Sequence, residues 1–150
     1  YDSSADGVFT SGGSQSNQTA IILARDWFCN EILKHDVKKS GLPNNFSKLK
    51  MYTSEISHFS MEKSAHILGM GYESVVKVPV DSKKKMDISA LKDLIQKEVA
   101  SFLGIDQRVY SNYETGKREI PTHFVVALAD FYNTSTDYIL GKTNNPKPIK

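Results

Sequence analysis

The chain has 150 residues, of which 39% are hydrophobic and 24% charged, a composition typical of a soluble globular protein with one domain or two very small ones. Its net charge of +2 is too small to indicate a nucleic-acid partner by itself. The single cysteine, Cys29, excludes an intrachain disulfide and a cysteine-cluster metal site, and it fits a reducing cytoplasm. The longest apolar run, residues 124–129, is far shorter than a membrane span, so we expect no membrane partner.

The first 95 residues alternate between helical and strand-like patterns. A polar loop over residues 1–16 precedes a helix over about 16–34, for which Ser16 or Asn17 is the predicted N-cap. An exposed loop follows, then a strand over 48–54, a helix over 60–69, a strand over 74–80 and a helix that begins after Asp87. This alternation predicts an α/β segment with a parallel sheet.

The pattern changes after Phe102, where short helical patterns follow one another without strands. They cover residues 106–115, 122–132 and 136–140, and they are separated by glycines, Gly104 and Gly116 among them. A polar tail ends the chain. We therefore predict an all-α segment here and place the division of the chain between residues 1–95 and residues 96–150.

A glycine- and serine-rich turn, GVFTSGGSQSN (residues 7–17), stands directly before the first long helix. Gly12 and Gly13 permit a tight turn with exposed backbone N–H groups, Ser14 and Ser16 add hydroxyl donors, and the helix N-terminus carries positive partial charge. These features suit an anion such as a phosphate. Taken alone, the pattern favours an ordinary helix cap.

The same stretch, extended to GVFTSGGSQSNQTAIILARDW, resembles the segment that binds the cofactor phosphate in group II pyridoxal-phosphate amino-acid decarboxylases of the diaminobutyrate and aromatic-amino-acid type. The blocks at residues 51–81 and 85–95 resemble the next segments of that family, so the resemblance covers about residues 1–98. It implies an α/β fragment of a PLP-transferase-type large domain, with Gly13, Ser14 and Gln15 at the phosphate and His58 stacked on the pyridine ring. The alternative for His58 is a polar residue at a strand-to-helix junction.

The resemblance also implies a lysine that this chain does not supply. In the family that lysine forms a Schiff base with the cofactor and directly follows a histidine. The four histidines here are followed by Asp36, Phe59, Ile67 and Phe124. We therefore expect no turnover by this chain alone, and no functional cofactor, although the resemblance leaves pyridoxal phosphate as a possible ligand.

Residues 96–143 carry the features of a DNA-reading motif. Val99, Ala100 and Leu103 form an apolar stripe, Gly104 supplies a turn, and Asp106 is placed to cap the next helix. On that helix Tyr110 and Tyr113 are predicted to face inward. The polar residues predicted to face outward, as a base-reading surface requires, are Gln107, Arg108, Ser111 and Asn112.

About residues 95–147 resemble the Xre/Cro-type helix-turn-helix repressor family, a lambda-repressor-like all-α fold, with the family's first helix missing. The resemblance implies that Gln107, Arg108 and Asn112 read bases. It implies that the DNA backbone is anchored by Gln96, Ser111, Lys117 and Arg118. The alternative is that these are solvated polar residues on a helical surface.

The two resemblances meet at QKEVA, residues 96–100, so one continuous helix of about 17 residues is predicted to cross the junction. We interpret the chain as chimera-like and keep three hypotheses. The first is sequence-specific DNA binding of the transcription-regulator type, with duplex DNA as partner and a homodimer plausible. The second is a fragment or relative of a PLP-dependent decarboxylase. The third is a folded chimera without a selected function.

Overall fold

The computed structural model describes residues 6–44, 46 and 49–146. The chain divides into two compact units, residues 1–86 and residues 87–150. The division predicted from the sequence, between Ile95 and Gln96, falls inside the helix Ile88–Leu103. The boundary between the two units in the sequence lies after Met86, just before that helix begins.

The first helix, α1, covers Gly13–Glu31 and begins earlier than its sequence pattern predicts. The prediction that Ser16 or Asn17 is the N-cap was wrong, because the cap position is Gly12 and the backbone N–H of Ser16 already donates to the Gly12 carbonyl at 3.0 Å. The Gln15 side chain accepts from the backbone N–H of Ser11 at 3.2 Å and from its hydroxyl. These bonds across the preceding turn accompany the earlier start.

The segment between α1 and the first strand was predicted as an exposed loop, and this was only partly right. It contains a short helix, α2 (Val37–Ser40), because the Asp36 carboxylate accepts from the backbone N–H groups of Lys38 and Lys39. Phe46, further along the same segment, is buried with 4% exposure.

Two strands form a parallel sheet in the first unit. Strand β1 is Met51–Ser54 and strand β2 is Val75–Val78, paired in register from Met51 with Val75 to Ser54 with Val78. The connection between them contains helix α3 (Ser60–Ile67) and a single 3₁₀ turn, Tyr72–Ser74. Helix α3 packs on α1. The buried apolar residues of the unit are Ile21, Cys29, Phe46, Ala65, Leu68 and Val78.

The second unit is all-α among its described residues. Helix α4 covers Ile88–Leu103 as one continuous helix across the predicted junction. It is capped by Asp87, whose carboxylate accepts from the backbone N–H of Ser89 at 2.8 Å, and it ends at Gly104 in the left-handed conformation with φ 67°.

Three shorter helices follow: α5 (Gln107–Glu114), α6 (Thr122–Phe131) and α7 (Thr136–Ile139). Their core is built on Val99, Ala100, Tyr110 and Leu128. Partly buried side chains packed against it are Leu103, Ile105, Ile120 and Ile139. In the part of the chain that the structure describes, no helix has both the length and the apolar character that a membrane crossing requires.

Candidate DNA-contacting surface and cofactor-phosphate region

Helix α5 carries all the residues predicted to read bases. Its start is fixed by Asp106, whose carboxylate accepts from the backbone N–H of Arg108 at 2.8 Å. Tyr110 is only 6% exposed and belongs to the core, which sets the rotation of the helix. The predicted contact residues at 107, 108, 111 and 112 then share an arc of about 140° at 100° per residue. Arg108 is exposed, and the other three are half-buried.

The side chains of two predicted contact residues already donate hydrogen bonds within the second unit. Gln107 donates its side-chain amide to the Asp93 carbonyl of α4 at 3.2 Å. Gln96, on α4, donates its amide to the Glu114 carboxylate at 2.5 Å. Both contacts join α4 to α5, so these two amides also hold the helix pair together.

The basic pair lies in the turn after α5. Lys117 and Arg118 are both exposed, beyond Gly116, which has φ 69°. The backbone N–H of Arg118 donates to the Asn112 carbonyl at 3.1 Å, and its guanidinium carbon lies 5.9 Å from the centre of the Tyr113 ring. The turn therefore holds two cations beside the end of the helix that carries the base-reading candidates.

Glu114 contributes to this surface in a way that the sequence analysis missed. Burial raises the pKa of the Tyr110 phenol well above its usual value, and a hydrogen bond with Glu114 and the charge of Glu114 raise it further. Burial, followed by the charge of Glu114, also raises the pKa of Tyr132. The i,i+4 spacing of Tyr110 and Glu114 on α5 was the available signal for this contact. Nothing in the sequence marked the contact with Gln96.

The phosphate candidates Gly13, Ser14 and Gln15 form the exposed first turn of α1. Backbone N–H groups in the first turn of a helix have no acceptor within the helix, so they suit an anion. The side-chain oxygen of Gln15, however, is engaged by Ser11. The donors that this turn offers to an anion are its backbone N–H groups and the side-chain N–H groups of Gln15, because the Gln15 oxygen is an acceptor.

His58 is tied to the same end of α1 by side-chain hydrogen bonds. Its Nδ1 lies 2.9 Å from the Ser60 hydroxyl and accepts from the Ser60 backbone N–H at 3.1 Å. The Ser60 hydroxyl in turn accepts from the Asn17 amide on α1 at 2.9 Å. The imidazole ring is exposed and lies against Phe59, with 4.3 Å between the ring centres. These hydrogen bonds, from Asn17 through Ser60 to His58, link the start of α1 to the histidine predicted to stack on the cofactor ring.

The described residues contain no group of three or more histidine, cysteine, aspartate or glutamate side chains that could hold a metal ion.

Two family models match the chain, and they overlap. The model for the pyridoxal-dependent decarboxylase conserved domain matches residues 1–105, and a helix-turn-helix model matches residues 90–139. Their overlap, residues 90–105, consists almost entirely of helix α4. One helix is therefore common to both similarities.

Relatives and solved structures match the decarboxylase part. An L-2,4-diaminobutyrate decarboxylase of Acinetobacter baumannii is 42% identical over 99 residues, covering 61% of this chain and 19% of the relative. The acidic amino acid decarboxylase GADL1 of Xenopus tropicalis is 42% identical over 92 residues, covering 61% and 17%. The glutamate decarboxylase domain of a Vibrio parahaemolyticus diaminobutyrate-pyruvate transaminase and L-2,4-diaminobutyrate decarboxylase superposes with a TM-score of 0.60 at 41% identity, covering 67% and 21%.

The chain spans about a fifth of the length of the curated relatives that it matches. Its decarboxylase similarity ends at residue 105, just after α4, and the helix-turn-helix similarity begins at residue 90 on α4 and continues to residue 139. Because the decarboxylase model matches more than half of its residues, the chain belongs to the pyridoxal-dependent decarboxylase family.

Proposed function

We propose that the C-terminal part of the chain, from Gln96 onward, binds duplex DNA with sequence preference, as cytoplasmic transcription regulators of the helix-turn-helix type do. The observation that carries the proposal is the arrangement of α5. Tyr110 anchors the helix in the core, and its polar residues share one arc within the region that the helix-turn-helix model matches.

The chemistry of these side chains suits the major groove. The Arg108 guanidinium can donate two parallel hydrogen bonds to a guanine edge, and the amides of Gln107 and Asn112 can both donate to and accept from an adenine edge. Lys117 and Arg118 supply the charge that phosphate contacts require, and Ser111 adds a neutral donor. With a net charge of only +2 on the whole chain, affinity depends on this local pair rather than on a general positive field.

We also propose that the protein binds DNA as a homodimer. A single α5 of eight residues contacts few base pairs, so sequence preference of useful size needs a second copy on a half-site about one helical turn away. We expect enriched DNA sites to be approximate inverted repeats, which sequencing of bound fragments from a random pool would reveal.

Fluorescence anisotropy of a labelled mixed-sequence duplex tests the binding, at about 50 and about 200 mM salt. We expect the affinity to fall as salt rises. The Lys117→Ala/Arg118→Ala variant should bind more weakly and lower the slope of log affinity against log salt by about one per lost phosphate contact. Lys38→Ala/Lys39→Ala, which removes two exposed lysines of α2, is the charge-matched control and should leave that slope unchanged.

Base reading is tested separately with Arg108→Ala/Asn112→Ala. This variant should lose the sequence motif that the wild type enriches from a random pool, at about 1–3 kcal/mol of discrimination for each lost base contact. The absence of any binding by the wild type at the lower salt would reject the proposal. Salt-dependent binding with no enriched motif would reject the sequence preference alone.

A second candidate function, ligand binding by the first unit, is favoured by the hydrogen bonds that connect Asn17, Ser60 and His58. The first turn of α1 fits a phosphate, and the exposed imidazole fits an aromatic ring. The chain has no histidine–lysine pair for covalent attachment. When bound in decarboxylases, pyridoxal phosphate supplies an electron sink. Here we propose binding of its phosphate and ring without turnover.

Pyridoxine 5′-phosphate is the suitable probe, because it lacks the aldehyde that reacts with surface lysines. Calorimetric titration should detect binding, and His58→Ala should weaken it about two- to tenfold, the value of one aromatic contact. His66→Ala is the matched control, since that exposed histidine on α3 stacks on Tyr72 instead. Equal weakening by both variants, or no binding by the wild type, would reject this candidate.

A further inference from the structure

One carboxylate, that of Glu114 at the last position of α5, joins α5 to α4 in the second unit. It accepts a hydrogen bond from the Gln96 amide of α4 at 2.5 Å, and it raises the pKa of the buried Tyr110 phenol one turn earlier on α5. Its charge also acts on Tyr132, which follows α6. The exposed Glu114 side chain therefore interacts with Gln96 on α4 and with Tyr110 on its own helix, α5.

The negative charge of Glu114 disfavours DNA binding unless the carboxylate also has a favourable effect on the DNA-binding surface. Glu114 lies only three residues before Lys117 and four before Arg118, so its negative charge stands near the expected position of the phosphates. Like charges in proximity weaken an association. The side-chain amide of Gln96 is a donor with two N–H groups, which phosphates attract rather than repel. Glu114 accepts from one of them, and the second can donate to a phosphate.

We infer that Glu114 is a positioning residue for the proposed DNA surface. Its carboxylate orients the Gln96 amide toward the strand of phosphates that the cations of Lys117 and Arg118 also face. The inference rests on the proposed DNA binding, and it assigns to Glu114 a role that acts through Gln96 rather than through contact with DNA.

Two substitutions separate this role from that of an ordinary surface acid. Glu114→Gln keeps a side-chain oxygen that can accept from Gln96, and it removes the charge. Glu114→Ala removes both. For a positioning residue, Glu114→Ala weakens DNA binding by roughly tenfold, the value of a hydrogen bond to a charged group. Glu114→Gln binds at least as tightly as the wild type.

An ordinary surface acid gives a different result, because Glu114→Ala and Glu114→Gln both remove its negative charge and so relieve its repulsion of the phosphates. Both variants would then bind more tightly, and by similar factors. Glu119→Ala supplies this reference, since Glu119 is an exposed acid five residues further along the chain. It should bind as tightly as the wild type or more tightly.

A double-mutant cycle with Gln96→Ala identifies the residue through which Glu114 acts. If Glu114 positions Gln96, the Gln96→Ala/Glu114→Ala variant binds about as well as Gln96→Ala alone, because the orientation of an absent amide has no further effect. Anisotropy at about 50 mM salt measures all four proteins. Circular dichroism at the same temperature confirms that each variant is folded. If Glu114→Ala unfolds, Glu114→Asp replaces it, because it keeps the charge and withdraws the carboxylate from Gln96. A positioning residue then loses affinity on this substitution, whereas an ordinary surface acid leaves the affinity of the wild type.

Equal tightening by Glu114→Ala and Glu114→Gln, or strictly additive losses in the cycle, would overturn the positioning role while leaving DNA binding intact. A wild type that does not bind DNA at all would overturn the proposed function and this role with it. The two failures are therefore distinguished by the wild-type measurement alone.

Discussion

Tyr110 combines two roles that usually belong to different residues. Its ring is part of the core with Val99 and Leu128, and after burial the Glu114 carboxylate further raises the pKa of its hydroxyl. A buried phenol needs a hydrogen-bond partner, and an acceptor that is negatively charged favours the neutral, protonated form of the phenol. Ionisation of this phenol in the folded protein is therefore disfavoured by its burial and by the charge of Glu114.

This coupling predicts a loss of stability at high pH. The Tyr110 phenol has a raised pKa in the folded protein and a pKa of about 10 in the unfolded chain. Above about pH 10 the unfolded state loses the proton first, so the unfolded state is favoured by up to about 1.4 kcal/mol per pH unit from this group. Urea unfolding between about pH 8 and pH 11, followed by circular dichroism, measures the effect.

Tyr110→Phe is the informative variant in that experiment. It keeps the ring and removes the titrating group, so the slope of stability against pH should become shallower. Some slope should remain, because burial also raises the pKa of Tyr132. Tyr138→Phe is the control, as Tyr138 is 45% exposed and lies on α7. An unchanged slope in Tyr110→Phe would show that this phenol does not limit stability at high pH.

Helix α4 shows what sequence patterns can predict at the scale of an element. Asp87 as its cap and Gly104 as its end were readable from the sequence, because capping and positive φ are local requirements. The continuity of the helix across the junction was readable for the same reason, since residues 88–103 contain no glycine or proline. The same holds for the positions of β1, β2 and α5–α7.

The features that were not predicted depend on contacts rather than on local preference. Helix α1 begins at Gly13 where Gln15 bonds back to Ser11, which competes with a cap at Ser16. In the candidate surface, the positions on α5 followed from helical spacing. The bond from Gln96 to Glu114 joins residues 18 positions apart, and only the packing of α5 on α4 brings them together.

At the scale of the whole molecule, each of the two units has buried apolar residues of its own. Val78 is fully buried in the first unit, and Leu128 is 4% exposed in the core of the second. The first unit also leaves large apolar side chains of α1 exposed, Leu23 at 64% and Trp27 at 62%. A unit with its own core can unfold as a separate cooperative step.

We therefore predict that a core substitution destabilises only its own unit. Leu128→Ala should cost about 2–5 kcal/mol in the second unit, because it leaves a cavity among Val99, Ala100 and Tyr110. Hydrogen exchange resolved by peptide should then show faster exchange in α4–α7 and unchanged exchange in α3, β1 and β2. Val78→Ala is the reciprocal control and should give the opposite pattern. Faster exchange throughout the chain in either variant would mean that the decarboxylase-like and helix-turn-helix-like parts form one cooperative unit, with α4 as a shared element.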